Sequence, residues 1–257
     1  MSVIPSEVEE SLDNSERVRN VSTSLDMTEG FFAALSVQND AVPHSAAMNM
    51  AIDEALMETA VGPTIRFYRW RSPGLSFGYF GKFSDVAICV AERDLVRRWT
   101  GGGIVFHGED LTYSIVIPAS DPAFNESSVA SYEKIHRALC EALIAIGHSA
   151  EVVVSARRAD PMPQRSVPTN NCFANPVRAD VIIDDRKIAG AAQRRTRRGL
   201  LQQGSIQGIT LRNDLAQKFA QALSVNCSDF EINEEVLRRA RDLAQQKYGT
   251  ESWLRMR

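Results

Sequence analysis

The chain is sparing with cysteine, long apolar runs and any excess of one charge, and each scarcity removes a class of function. Its four cysteines, Cys89, Cys140, Cys172 and Cys227, lie far apart with no CxxC pair and no metal-like Cys/His spacing. Neither a disulfide framework nor a zinc site is indicated, and no metal ligands are assigned. No apolar run approaches the roughly 20 residues of a membrane span. The N-terminus lacks the basic-then-apolar order of a secretory signal and is too acidic for a transit peptide, so a soluble, cytoplasmic protein is expected, with no membrane partner. The formal charge is -3, and the first 30 residues carry seven acidic against two basic side chains. Residues 31–257 alone are nearly neutral, at about +2, which predicts no general affinity for nucleic acid. No internal repeat is present.

What is there suits one large globular domain: 257 residues, 44% hydrophobic and 24% charged. Residues 1–30, rich in Ser, Glu and Asn, read as a disordered acidic tail, and 31–257 as the folded domain. Ala46 to Thr59 has a helical pattern with Ser45 as N-cap, which leaves Asn49, Asp53 and Glu54 for the surface. Thr64 to Trp70 alternates like a strand; Ser72-Pro73-Gly74 makes a turn before a second strand, Leu75 to Phe80. Asp85 to Arg93 reads as helical and Leu111 to Pro118 as a strand. Ala130 to Gly147 is the clearest helix, with Ile135, Leu139, Leu143 and Ile146 on one face and Gly147 as its stop. Cys140 within it reads as a packed thiol.

Further along, Glu151 to Val154 is expected as a strand and Asp160 to Asn171 as a loop ending at Cys172-Phe173. Val181 to Asp184, Lys187 to Gln193 and Leu200 to Ile206 follow as strands joined by turns at Asp184-Asp185 and Arg197-Arg198-Gly199. Leu215 to Leu223 and Glu234 to Lys247 are helical, the second capped by Asn233. Strands grouped before helices favour an α+β fold, a mixed and largely antiparallel sheet packed with helices, over a doubly wound parallel sheet.

Two motifs carry chemistry. In Arg97-Arg98-Trp99-Thr100-Gly101-Gly102-Gly103-Ile104-Val105-Phe106-His107, three glycines without Cβ atoms let a ligand lie directly against backbone N–H donors, which suit a carboxylate, a phosphate or an oxyanion. Downstream stands Asp184-Asp185-Arg186-Lys187-Ile188-Ala189-Gly190-Ala191-Ala192-Gln193, followed by Leu200-Leu201-Gln202-Gln203-Gly204-Ser205-Ile206. Together with Met48 to Leu56, these segments resemble the lipoate–protein ligase and octanoyltransferase family, which shares a biotin/lipoate ligase-like catalytic domain. The resemblance runs from about Ala46 to the C-terminus.

The resemblance implies that Lys187 projects into the acyl pocket, where its ammonium stabilises negative charge developing on the carbonyl oxygen; without it, Lys187 reads as a solvated strand residue beside a turn. It places Gly190 where a side chain would crowd the acyl group, and gives Arg98, Gly101, Gly102, Gly103, His107 and Gly204 to substrate binding. His107 reads equally as a structural hydrogen-bonding residue. Cys172-Phe173 occupies the place of the nucleophile in the cysteine-dependent octanoyltransferase branch, where a thiolate would attack the acyl donor. Glu109-Asp110-Leu111-Thr112-Tyr113-Ser114 is similar to that branch, whereas Gly101-Gly102-Gly103 is closer to the ligases. Arg194, Arg195, Arg197 and Arg198 form either a receiving surface for an acidic carrier or a solvated hairpin tip.

The reading that results is octanoyl transfer from acyl carrier protein, through a Cys172 thioester, to the lysine of a lipoyl domain, with glycine cleavage H protein or a dehydrogenase E2 as acceptor and no cofactor. The first alternative is a lipoate–protein ligase that uses ATP and Mg2+ and passes through an acyl-adenylate. The second is an amidotransferase between lipoyl proteins. A subunit that only binds lipoyl domains is a non-enzymatic reading, against which the presence of both Lys187 and Cys172 argues.

Overall fold

A computed structural model describes residues 30–153 and 177–256. The acidic segment 1–29, the loop expected from Asp160 to Asn171, and Cys172 lie outside the described residues. Eleven strands and five α-helices are seen among those described. In chain order they are β1 (Leu35–Asn39), α1 (Ala46–Thr59), β2 (Thr64–Tyr68), β3 (Gly74–Phe77), β4 (Asp94–Arg97), β5 (Ile104–His107), β6 (Leu111–Pro118), α2 (Ser128–Ala145), β7 (Ala150–Val152), β8 (Val181–Ile183), β9 (Arg186–Arg195), β10 (Gly199–Ile206), α3 (Leu215–Leu223), β11 (Cys227–Asp229), α4 (Glu234–Leu243) and α5 (Glu251–Leu254).

The main sheet has eight strands in the order β11-β1-β2-β6-β10-β9-β8-β7, and β4-β3-β5 form a small second sheet. Among the described strands, β11-β1, β1-β2 and β3-β4 run parallel and the other pairs antiparallel. The α+β expectation therefore holds, with a mixed and mostly antiparallel sheet. The β6-β10-β9 centre places Gly204 opposite Tyr113 on one side and Ala191 on the other.

One face of the main sheet packs against α2 and α3 through Ile65, Tyr113, Ile115, Leu139, Leu143 and Phe219. The other face meets α1 and α4 through Met50, Leu56, Val116, Leu201 and Val236. Both helical layers follow from sequence: α2 carries its apolar residues at three- and four-residue spacing, Ser127 caps its start by accepting from Ala130 N at 3.1 Å, and Gly147 takes φ +97° just past its end. Cys140 is packed, and burial pushes its thiol up to about 11.

Three expectations are corrected. Asp85 to Arg93 is not an α-helix but two 3-10 turns, Phe83–Asp85 and Ala87–Cys89. Its β-branched Val86, Ile88 and Val90 disfavour a helix, and Val86 is buried while Ile88 and Val90 face solvent. The strand expected over Leu75 to Phe80 stops at Phe77, because Gly78 lies so close to the backbone of Gly101 and Gly102 that no Cβ would fit. Asn49, Asp53 and Glu54 are buried rather than on the surface. Gly30, the last residue of the expected tail, bridges to Ser224.

Candidate functional site

A cleft, about 480 Å³ of space counted with the solvent at its mouth, lies where β9 and β10 face the small sheet and the start of α1. Among its lining residues are Arg98, His107, Lys187, Gly190, Gly204 and Gln203, with apolar wall from Met50, Trp70, Val105, Ala191 and Ala192. Five residues that the sequence motifs single out therefore converge on one cleft. Gly101, Gly102 and Gly103 do not line it; Gly102 and Gly103 line a neighbouring crevice with Phe77, Phe80 and Lys82.

The expected role of the glycine loop changes accordingly. Its carbonyls are used: Arg98 Nη2 donates to Gly101 O and Gly103 O, both at 2.9 Å. The loop is thus wrapped around a guanidinium, and Arg98 Nη1 extends to Ser76 Oγ at 2.7 Å.

Lys187, near the start of β9, places Nζ 2.8 Å from Asp180 Oδ2, with both side chains buried. Asp180 is in turn held by Tyr132 OH at 2.7 Å and Val177 N at 2.7 Å. Burial, with the charge of Asp180 behind it, pushes the Tyr132 phenol far up, so it stays a donor. Gly190 has a more direct role than sparing the ligand: a Cβ there would stand 2.5 Å from Lys187 Cε and 2.6 Å from Nζ. Gly204 likewise leaves room for the ring of Tyr113, which a Cβ would strike.

His107 is sandwiched. Its ring stacks on Trp70 with centroids 3.9 Å apart, Nδ1 meets Asp110 Oδ2 at 2.8 Å, and Nε2 meets Ser76 Oγ at 2.7 Å. Burial pushes its pKa below the ordinary imidazole value; Asp110 opposes this, and Arg98 and Arg93 reinforce it. Burial pushes Asp110 up, but hydrogen bonds from His107, Gly108 and Ser205 outweigh it and hold the carboxyl below its usual range.

The cleft wall next to α1 rests on Asp53. Its carboxylate accepts from Arg66 Nη1 at 2.7 Å, Ser114 Oγ at 2.7 Å, Tyr68 OH at 3.0 Å and Gln203 Nε2 at 2.7 Å. Gln203, fixed also by Thr100 Oγ1 at 2.8 Å, is thereby presented to the cleft. Burial works against the charge on Arg66, but Asp53 and Asp40 beside it outweigh burial and keep the guanidinium protonated.

Asp53 and Asp110 lie within the motif segments but take no role from them, and Ser76 and Asp180 lie outside the motifs. The signal for Asp53 is that α1 spreads apolar residues over every side instead of confining them to one stripe. The basic turn is partly anchored: Arg194 lies over the rings of Tyr79 and Trp99, and Arg195 donates to the carbonyls of Phe124 and Glu126. Among the described residues no group of three or more His, Cys, Asp or Glu side chains is placed to hold a metal ion, and no helix is long and apolar enough to cross a membrane.

The mixed sheet with helices on both faces is the fold of lipoate-protein ligases. Two solved structures share the fold: lipoate-protein ligase A bound with ATP, at TM-score 0.65 and 22% identity over 88% of this chain and 98% of that one, and the bi-partite lipoate protein ligase of Thermoplasma acidophilum, studied with its E2 lipoyl domain, at TM-score 0.61 and 21% identity over 88% and 95%. The family model of the lipoyl protein ligase A/B catalytic domain matches residues 45–240, and the chain belongs to that family. It is 30% identical to octanoyltransferase LipM of Brevibacillus brevis, over 81% of this chain and 94% of that relative.

Proposed function

We propose that this chain is an octanoyltransferase of protein lipoylation, in which residues 31–257 form the catalytic domain. The observation that carries the reading is the cleft in which Lys187, fixed by Asp180 and given room by Gly190, stands beside an apolar wall. The similarity to octanoyltransferase LipM along most of both chains supports the acyl class. Octanoyl-acyl carrier protein acylates Cys172, the carrier leaves, and the lysine of a lipoyl domain attacks the thioester to form an amide. Lys187 stabilises the oxyanion of each tetrahedral intermediate, with Arg98 and Gln203 also lining the cleft. Cys172 enters on sequence alone, through its place before the Lys187 motif. No cofactor takes part, and the reaction belongs to the cytoplasm.

A second reading, an ATP- and Mg2+-dependent ligase, is favoured by one observation, the unbroken Gly101-Gly102-Gly103 run.

Incubation with octanoyl-acyl carrier protein in the absence of ATP, followed by intact mass, separates the two. An octanoyl adduct on wild type and none on Cys172→Ser is expected. No adduct on folded wild-type protein, together with amide formation from octanoate that requires ATP, would overturn the transferase in favour of the ligase.

A further inference from the structure

The four arginines around the turn from β9 to β10 are not equivalent. Arg195 is spent on the protein itself, donating to the carbonyls of Phe124 and Glu126 at 2.6 Å each. Arg198 lies 3.8 Å from the carboxylate of Glu58, and Arg197 is exposed. Arg194, of these four, is held without being consumed. Its guanidinium carbon stands 5.1 Å from the ring centroids of both Tyr79 and Trp99, and among the described residues no carboxylate or carbonyl takes its N–H groups. Aromatic faces fix a flat cation by cation–π attraction and leave its edge, a fork matched to two oxygens of one anion.

This guanidinium adjoins the cleft and is half-buried, within reach of a ligand. Residues two apart on a strand share a face, so Arg194 follows Ala192, which lines the cleft. Trp99 follows Arg98, and the next residue, Thr100, donates to Gln203 Oε1 at 2.8 Å; Arg98 and Gln203 line the cleft too. A second cation, Lys247, has Nζ 4.9 Å from the Trp99 ring, but it is paired with Glu54 Oε2 at 2.6 Å. Of the two cations on Trp99, Arg194 is the one without a counter-ion.

We propose that Arg194, seated on Tyr79 and Trp99, binds the phosphate of the phosphopantetheine arm that carries the octanoyl thioester, an inference that rests on the transferase reading. The dimensions agree. Lys187 Nζ lies at the level of Gly190, and four residues of strand, about 13 Å, separate Gly190 from Arg194. With the acyl carbonyl at Lys187, a pantetheine arm laid along β9 covers that interval and brings its phosphate to the guanidinium. The bond is charge-assisted and can be bidentate. An octanoyl chain carries no charge, so the phosphate is the part of the donor that this arginine can read. A nucleotide phosphate offers the same chemistry, and the experiment separates the two sources.

The test compares donors that differ only in the phosphate, octanoyl-pantetheine and octanoyl-phosphopantetheine, by kcat/KM for octanoyl transfer to a lipoyl domain. Wild type should prefer the phosphorylated donor by about tenfold or more, and added salt should erode that preference. Arg194→Gln should reduce the preference to about twofold or less, whereas Arg197→Gln, which removes the same charge from the same turn, should keep it. Arg194→Lys keeps the charge and loses the fork; it should retain part of the preference, so the site is still read if Arg194→Gln does not fold. Survival of the preference in Arg194→Gln, or its equal loss in both glutamine variants, would overturn the proposal. Failure of the transferase reading shows separately, as wild type that consumes neither donor. Calorimetric titration with phosphopantetheine and with AMP then reads the site directly: tighter binding of phosphopantetheine that Arg194→Gln abolishes supports it, and tighter binding of AMP, or of neither, overturns it.

Discussion

At the scale of single residues, the position of Lys187 depends on what its neighbours leave out. Gly190 stands where any Cβ would occupy the space of Lys187 Cε and Nζ. The obstacle is the end of a flexible side chain rather than backbone, so Gly190→Ala should displace the ammonium and spare the fold. Transfer activity should fall about tenfold or more, which is about 1.4 kcal/mol or more of transition-state stabilisation, with a melting temperature within a few degrees of wild type. An unchanged rate in the steady-state assay would mean that Lys187 does not act from this position. Much of the site is legible at this scale, since Arg98, His107, Lys187, Gly190 and Gly204 sit in motifs with a recognisable order and share one cleft. Ser76 and Asp180 are not legible, because their significance lies in partners brought by other strands: Ser76 from β3 meets Arg98 just beyond β4, and Asp180 precedes β8 to meet Lys187 on β9. The glycine run shows the opposite failure. Its residue types suggest backbone donors, yet folding turns two of its carbonyls toward Arg98.

Among the elements, α1 departs most from its sequence pattern, with Asn49, Asp53 and Glu54 buried. A helix read alone assigns its acids to water, but α1 lies between the main sheet, the small sheet and α4, and Asp53 and Arg66 are both fully buried. Such a pair is costly to break from one side, since the remaining charge keeps its desolvation penalty. Asp53→Ala should destabilise the protein by roughly 3–5 kcal/mol, read as a lower urea midpoint, and loosen Gln203 at the cleft. A loss below about 1 kcal/mol would mean that Asp40 alone suffices for Arg66. Helices α2, α3 and α4 and the β8-β9-β10 meander follow from periodicity and turn residues, including Asp184 and Asp185, which both take positive φ between β8 and β9. Strand β11 does not, because it is exposed along its length with no buried alternation to read; β1 also goes unread, although Leu35 and Val37 alternate into the core.

For the molecule as a whole, His136 sets an acid limit. It is fully buried between Tyr113 OH and the carbonyl of Ala179, linking α2 to β6 and to the segment before β8. Burial lowers its pKa from 6.5 to about 4, against the opposing pull of Ala179 O and Asp180. Between those values the unfolded chain binds a proton that the folded one refuses, so stability rises with pH across the window and is lost as pH falls through it. The contribution is about 3 kcal/mol on the linkage relation. Urea midpoints from pH 7 to 4.5 should fall steeply in wild type and less steeply in His136→Gln; parallel curves would assign the acid sensitivity to other groups. The long-range closures of the fold also order its biosynthesis. Arg97 Nε donates to the carbonyl of Trp253, 156 residues onward, and Leu35, Ser36 and Val37 take Cys227, Ser228 and Asp229 as partners. In a chain made N-terminus first, β1 finds β2 and Arg97 finds the carbonyls of Tyr79 and Gly81 early, while the β11 edge of β1 and the Arg97 bonds to Trp253 and Leu254 stay unmade throughout synthesis of the central sheet. Completion of the wall that begins at Arg98 therefore waits for the Trp253 segment, long after the central sheet has been made.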